Sequence, residues 1–330
     1  MSKDKSVAAV VVTFNRKALL VECLDALLRQ TRPLEQIFIV DQASTDGTGD
    51  MLSAAGYLQH ASVAYSRSER NTGGAGGFHR GVEIAFASGF EWIWMMDDDA
   101  IAEPDALEKM LHWASLSHTV AIANAKLRRD GVLDTGHFVY AKGSSSATNP
   151  AYLTFSSFVG LMVSSKAVTA IGLPKAEMFL QGDDTEYCIR LCKVGRIAFA
   201  ADSVLVHKEI SRPLELIRRF GRDFTIYPKE RFCFQYFLWR NRVWIELYAR
   251  GVRPDRIVWV ISKFVRVILR TCLVDRVDVT FRLAILFRAL KDGIVGKFDN
   301  DYPFRMRDRV LQAASRDAKP PKFEVSAEGK

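Results

Sequence analysis

Trp92-Ile93-Trp94-Met95-Met96 runs without a break into Asp97-Asp98-Asp99. A continuous run of large apolar residues is what a strand buried on both faces of a parallel sheet requires, since neither face meets water. Three adjacent carboxylates at its end repel one another unless something compensates. In extended backbone, residues two apart share a side. Asp97 and Asp99 can therefore face one point, while Asp98 turns towards a second group. Hard oxygen donors of this kind suit Mg²⁺ or Mn²⁺, which bind through one or two carboxylates together with substrate phosphates. Capping of a helix over Pro104–Met110 by Asp99 would account for one aspartate and not for three.

The same pattern extends outward along the first half of the chain. Val7–Thr13 is a second buried-strand run, followed by Phe14-Asn15-Arg16. Between Lys17 and Gln30 the residues Leu20, Cys23, Leu24, Leu27 and Leu28 share one helical face. Ile37–Val40 is a third strand, ending at Asp41-Gln42, and Val63–Tyr65 a fourth. Phe78–Ser88 reads as a helix. Val120–Ala123, Phe158–Val163, Ile197–Ala201 and Val204–Val206 read as further strands, and Asp184–Val194 as a helix. Lys142–Pro150 reads as a loop. Strands alternating with helices imply an α/β fold with a mostly parallel sheet covered on both faces. In such sheets ligands bind beyond the carboxyl ends of the strands. Thr13–Arg16, Asp41-Gln42 and Asp97–Asp99 all occupy that edge.

The composition bounds what the chain can be. Its 330 residues are 48% hydrophobic and 25% charged, ordinary globular values that argue against a disordered or collagen-like chain. The five cysteines are odd in number and scattered, as expected for small buried residues in a reducing compartment. No stretch reaches the length of uncharged apolar sequence that a membrane span needs, and the run from Val7 to Thr13 lacks a signal-peptide pattern. A cytosolic-side protein is expected. Charge is uneven. Residues 1–207 carry 19 basic and 23 acidic side chains, a net −4, whereas residues 208–330 carry 27 and 15, a net +12. From about Pro213 the pattern is helical and rich in Arg, Phe and Trp. A basic back half points to a polyanion, nucleic acid or anionic lipid, or to a solvated surface. No recognised nucleic-acid module accompanies it.

Three further features carry chemistry. Asn71-Thr72-Gly73-Gly74-Ala75-Gly76-Gly77 lets the backbone approach a ligand closely. It fits neither the dinucleotide fingerprint nor a phosphate loop ending in Lys-Ser. With the aspartates it suggests a nucleotide-diphosphate site. Gly182-Asp183-Asp184-Thr185-Glu186 sets acidic residues at a helix start, where they either favour the helix or offer one carboxylate to the cleft as a general base. His207, after Val204–Val206, is either a satisfied core or surface histidine or a metal ligand.

Together these residues resemble the family 2 glycosyltransferases, which have the GT-A nucleotide-sugar-binding fold. The resemblance rests on Val11–Arg16, Val40–Thr48, the Asp97-Asp98-Asp99 form of the D-x-D motif and Gly182-Asp183-Asp184, and covers roughly residues 5–210. Asn71–Phe78 is similar to the N-x-GGAGGF segment of the bacterial rhamnosyl- and galactofuranosyltransferases. Trp239-Arg240-Asn241 and Lys291–Lys297 resemble their R-N and D-G-x-x-G features. The triple aspartate and Asp183–Tyr187 look most like galactofuranosyltransferases of the mycobacterial type. Carried over, the resemblance implies Asp97, Asp99 and His207 as ligands of Mn²⁺ or Mg²⁺ and Asp184 as catalytic base. Arg16, Asp41 and Asn71 become uridine-diphosphate contacts, with Thr13, Asn15, Gln42, Gly74 and Asp98 lining the donor site. Gln42 stands where many relatives have Asn or Asp.

The implied activity is inverting, metal-dependent transfer of galactofuranose from UDP-galactofuranose to a lipid-linked or polysaccharide acceptor in cell-surface glycan synthesis. The alternatives are a rhamnosyltransferase using dTDP-rhamnose and, from another class, an inactive membrane-surface scaffold. The expected domains are a GT-A domain over 1–210, a basic helical region over 211–315 that is membrane-proximal or dimerising, and a disordered tail over 316–330. Within Arg256–Asp275, Arg256, Lys263, Arg266 and Arg270 form a cationic stripe on an apolar helix. Such a helix fits the surface of an anionic membrane, which would put the protein on the cytoplasmic face of the inner membrane, or else a homo-oligomer contact.

Overall fold

The apolar runs of the first half become the strands of one sheet. The computed structural model describes residues 5–208 and 214–317. In chain order the first elements are β1 (Val7–Thr13), α1 (Lys17–Leu28), β2 (Gln36–Asp41), α2 (Thr48–Ala54), β3 (Val63–Arg67) and α3 (Gly73–Ala87). Next come β4 (Trp92–Asp97), β5 (Ala100–Ala102), α4 (Ala106–Trp113), β6 (Thr119–Leu127), β7 (Phe138–Tyr140) and β8 (Ala151–Ser156). They are followed by β9 (Leu161–Ser164), α5 (Ser165–Ile171), α6 (Asp183–Val194) and β10 (Arg196–His207). The spatial order is β3-β2-β1-β4-β9-β6-β10-β8-β7, with β5 paired to β10. Strands β1 to β4, β6, β7 and β10 run one way and β5, β8 and β9 the other, so the sheet is mixed and mostly parallel.

β1 shows why these strands are apolar throughout. Val7, Ala9 and Val11 pack on one face with Leu20, Leu24, Trp94 and Met110, and Ala8, Val10 and Val12 pack on the other with Phe78, Val82, Tyr187 and Leu191. Both faces are core, as the unbroken runs require.

Three local expectations are corrected. The helix expected from Phe78 starts earlier, because α3 begins at Gly73 and buries Gly73, Gly76, Gly77 and Gly81. A Cβ on Gly81 would stand 2.1 Å from Cγ1 of Val10, so these glycines let the helix lie directly on the sheet. The two short strands around residues 197–206 are one strand, β10, whose register shifts between Ala200 and Val204. The region after residue 213 opens with a hairpin rather than a helix. Strands β11 (Glu215–Arg219) and β12 (Arg222–Ile226) are joined through Phe220 and Gly221, both at positive φ (51° and 71°). A two-residue loop with both residues in that region matches the twist of the strands it joins.

The chain divides into two compact units, Met1–Arg212 with Trp244–Arg253, and Pro213–Val243 with Pro254–Lys330. The expected boundary at 210/211 lies outside the described residues, as does the tail beyond residue 317. After the hairpin the second unit continues with α7 (Lys229–Phe232), α8 (Gln235–Trp244), α9 (Pro254–Leu269), α10 (Val279–Val295) and α11 (Tyr302–Asp317). Its R-N and D-G-x-x-G features are the joint between α8 and α10. Arg240 is fully buried and donates to Asn241 Oδ1 (2.9 Å) and Asn300 Oδ1 (2.7 Å). Asp292 accepts from Tyr236 Oη and Arg288 Nε, both at 2.7 Å. Gly293 admits the Arg240 carbonyl oxygen to 2.7 Å of where a Cβ would stand. Among the described residues no helix is long and apolar enough to cross a membrane.

Candidate active site

The register of the sheet assembles the acidic centre. β4 delivers Asp97 at its carboxyl end. The turn Asp98-Asp99 then leads into β5, which pairs with β10 so that Ala100 lies opposite His207. The Lys208 N–H closes the pairing on the Asp99 carbonyl at 2.8 Å. A histidine more than a hundred residues away in sequence thereby arrives beside Asp99, with Nε2 at 3.2 Å from Oδ1. One ligand atom from each of Asp97, Asp99 and His207 lies within 4.8 Å of the others. Two carboxylates and one imidazole, drawn together at a strand edge, could hold a divalent metal ion.

Asp98 turns the other way, as the alternation of extended backbone requires. It accepts from Thr13 Oγ1 at 2.7 Å and from Arg16 at 3.3 Å. The same guanidinium reaches Asp99 Oδ2 at 2.7 Å, so one cation spans two of the three aspartates. Burial, then the charges of Asp99 and Asp98, push Asp97 up to about 7. Burial likewise pushes Asp98 up to about 6 against the opposing Thr13 and Arg16. Burial also works against the Asp99 charge. There, however, the close approach of His207 and the His207 and Arg16 charges outweigh it and hold the carboxyl below its usual range.

The neighbouring loops are tied together by the residues assigned to the donor. Asn15, at positive φ (53°), accepts from the Thr45 N–H at 2.7 Å, and its own N–H donates to Ser44 Oγ. Asp41 is fully buried and accepts from the Ser44 N–H (2.8 Å) and from Tyr65 Oη (2.6 Å). Gln42 is engaged at both ends of its amide. Its Nε2 donates to Ser68 Oγ, and its Oε1 accepts from both the N–H and the hydroxyl of Thr72. It is a strut between β2 and the start of α3.

The backbone of that helix start is also partly engaged. The Gly73 N–H donates to Asn71 Oδ1 at 2.7 Å and the Ala75 N–H to the Phe179 carbonyl at 3.1 Å. At Gly74 a Cβ would meet nothing within 4 Å, so the helix start is open on that side. The Phe179 contact joins α3 to the segment that enters α6, in which Phe179, Gln181 and Gly182 all adopt positive φ. Backbone held in sparsely populated regions clusters at functional sites.

The acidic cluster at the start of α6 separates into three roles. Glu186 is committed to Arg190, receiving Nε at 2.8 Å and Nη2 at 2.7 Å. Asp183 is buried, and burial together with Asp184 raises it well above the usual carboxylate range. Asp184 is more open, and its Oδ1 accepts from the Thr185 N–H at 2.6 Å. Burial raises it to about 6 in spite of that hydrogen bond and the Lys126 charge.

Two polar residues beside the site escape sequence reasoning. The His137 ring stands edge-on to that of His207 with centroids 4.9 Å apart, its Nδ1 2.8 Å from Ser157 Oγ. Burial and the charges of His207 and Lys126 depress it to about 4. Lys126, fully buried on β6, donates to Ser156 Oγ at 3.0 Å. No pattern in the sequence distinguishes either one. The five cysteines are all free thiols.

A strand-edge acidic site on this mixed, mostly parallel sheet is the arrangement of the GT-A fold. Solved structures share the fold. One is the mannosyltransferase PcManGT from Pyrobaculum calidifontis in complex with GDP-Man and Mn²⁺ (TM-score 0.54, 16% identity, 97% of this chain and 82% of that one). Another is S. aureus TarS (TM-score 0.55, 16% identity, 94% and 53%). Residues 8–153 match the glycosyl transferase family 2 pattern. Galactofuranosyltransferase GlfT1 of Mycolicibacterium smegmatis is 31% identical over 271 residues, 77% of this chain and 86% of the relative. GlfT1 of Mycobacterium tuberculosis H37Rv is 31% identical over 267 residues, 76% and 84%. The chain belongs to glycosyl transferase family 2.

Proposed function

We propose that the protein is an inverting, metal-dependent galactofuranosyltransferase that takes its sugar from UDP-galactofuranose. The observation that carries the reading is the meeting of Asp97, Asp99 and His207 at one edge of the sheet. The likeness to galactofuranosyltransferases over most of the chain supports the donor. Asp97, Asp99 and His207 would hold the cation, which when bound supplies positive charge to the diphosphate leaving group. Arg16 adds fixed positive charge beside them. Asn71 and the open face of Gly74 are available to the diphosphate, and Thr13–Arg16 with Asp41 to the nucleoside. Asp184 takes the proton of an acceptor hydroxyl while that oxygen forms its bond to the anomeric carbon. The bond from that carbon to the diphosphate breaks on the opposite face, so the configuration inverts. Asp184 suits this role better than Asp183 because it is the less buried of the two.

Asp184→Asn keeps the shape and removes the proton acceptor. Turnover should fall by roughly 10²- to 10⁴-fold, the range for lost general-base catalysis, with donor affinity almost unchanged. Normal turnover by a folded Asp184→Asn, with Asp183→Asn inactive, would transfer the role to Asp183. A panel of nucleotide sugars that includes dTDP-rhamnose identifies the donor by which nucleoside diphosphate is released.

The acceptor in this reading is a lipid-linked or polysaccharide glycan, and α9 is the surface that meets the membrane on its cytoplasmic face. Only Val260 and Phe264 of α9 are buried, whereas Val258, Ile261 and Leu269 are at least half exposed. Lys263 lies over the Trp259 ring at 5.5 Å, and Arg266 is on the same helix. Apolar side chains flanked by cations match the boundary between anionic headgroups and acyl chains.

A further inference from the structure

We propose that Lys126 is a positioning residue for the transfer reaction: its ammonium, sealed behind the site, holds the Asp184 carboxylate in the ionised form that accepts a proton. The proposal rests on the reading of Asp184 as the base.

A lysine with no exposed surface is costly, because an ammonium withdrawn from water loses its hydration unless charge and hydrogen bonds replace it. Lysines ordinarily extend to keep the charged end wet. The Lys126 ammonium donates to a neutral hydroxyl, Ser156 Oγ. An apolar residue of the same length would fill the space without that cost. The fold alone therefore gives no reason for a lysine here.

The contacts lead from the ammonium to the helix that carries the base. Ser156 is bonded through its backbone to Cys188, its N–H lying 3.4 Å from Sγ and its carbonyl oxygen 3.3 Å from Sγ. Cys188 is on α6, four residues after Asp184, and residues four apart share a helix face. Lys126, Ser156 and Cys188 thus form a layer beneath the face of α6 that carries the base. The charges agree with this placement. Lys126 acts to lower Asp184 against the larger effect of burial. Burial depresses Lys126 itself to about 7, while the charges of Asp184 and Asp134 act to keep it protonated. The other ionisable groups around the pair are Asp183 beside Asp184, with Asp97 acting on Asp183, and His137, whose protonation Lys126 opposes. Lys126 sets a positive charge against the base.

The test compares pH profiles of kcat for wild type, Lys126→Met and Lys126→Gln, read as UDP released from UDP-galactofuranose with Mn²⁺. Thermal melts and Asp184→Asn are run alongside. Removing a nearby opposite charge should move the acidic limb up by about one pH unit, the low end of such effects. At pH 6 that is a loss of roughly five-fold, recovered almost completely by pH 8.5. The donor KM should stay within about three-fold, because the ammonium touches no substrate. Rescue at high pH is the signature that a purely structural role would not produce. A folded variant with an unmoved acidic limb, or a loss that is equal at every pH, would overturn the proposal. So would failure of both neutral variants to fold, which would make Lys126 a structural residue. Normal turnover by Asp184→Asn would instead remove the base reading, so the two failures are distinguishable.

Discussion

Gly81→Ala should destabilise the protein although it replaces the weakest ordinary helix former with the strongest. Gly81 lies inside α3, where exchange for alanine is worth up to about 1 kcal/mol in helix propensity. The added Cβ would stand 2.1 Å from Val10 Cγ1 and 3.3 Å from both Val10 Cβ and Cγ2. Ordinary carbon contacts need about 3.5–4.0 Å. Val10 is fully buried in the centre of β1 and, being β-branched, has restricted freedom to turn aside. The helix must therefore lift off the sheet by more than an ångström, which lies towards the upper end of the roughly 1–3 kcal/mol cost of overpacking. The net loss is about 1–2 kcal/mol, and Tm should fall by about 2–6 °C for a unit of this size. Gly74→Ala is the control, because a Cβ there meets open space and its Tm should not fall. Both changes sit in one helix, so propensity alone predicts the same sign for each. If Gly81→Ala melts at or above the wild-type temperature in a thermal scan, the close approach of α3 to β1 does not limit stability.

Asp99→Ala should stay folded yet lose at least about ten-fold in Mn²⁺ affinity by titration calorimetry, since one of its three ligands is gone. Transfer should stop in EDTA, and full activity there would refute metal dependence. Transfer should also fall as pH drops through about 6, because burial raises Asp184 to that value and only its ionised form accepts a proton. The same raised value means that ionising Asp184 costs stability, which is lost as pH rises from the unfolded carboxylate range through about 6. Asp184→Asn should accordingly melt higher than wild type at pH 8, and a lower Tm there would contradict the burial argument. Flotation should recover the protein with anionic but not neutral vesicles, less so at high salt. Lys263→Gln with Arg266→Gln should weaken it, whereas equal flotation of that double variant, or a concentration-dependent dimer in place of binding, refutes the membrane reading. Arg270 is left intact because it donates to the Thr225 carbonyl and pairs with Asp275.

How far the sequence could be read depended on whether the deciding interaction was local. β1, β2 and β4 were legible because each is an apolar run that stops at a polar residue, and burial on both faces leaves no other pattern open. The start of α3 is hidden because glycine reads as loop wherever its neighbour is unknown, and here the neighbours include Val10 and Val12 on another element. The hairpin of β11 and β12 was hidden because its strands are short and rich in arginine. Only Phe220-Gly221 marked its turn. β10 read as two pieces because the register shift near Ala201–Ser203 interrupts the alternation that identifies a strand.

The site shows the same limit more sharply. Asp97 and Asp99 are neighbours in sequence, so their common direction follows from strand geometry alone. His207 had no such warrant, since a single histidine after a short strand carries little information by itself. It becomes a partner of Asp99 through the β5–β10 register, and a slip of one residue would turn it to the opposite face of the sheet. Lys126 is a stronger case. At the end of an apolar strand it reads as a side chain reaching water, and only the packing of Ser156 and Cys188 over it reveals a buried ammonium. Residues whose chemistry comes from their own type and spacing are visible in one dimension. Those whose chemistry comes from being enclosed, as Lys126 and His137 are, appear only when the enclosing elements have been built.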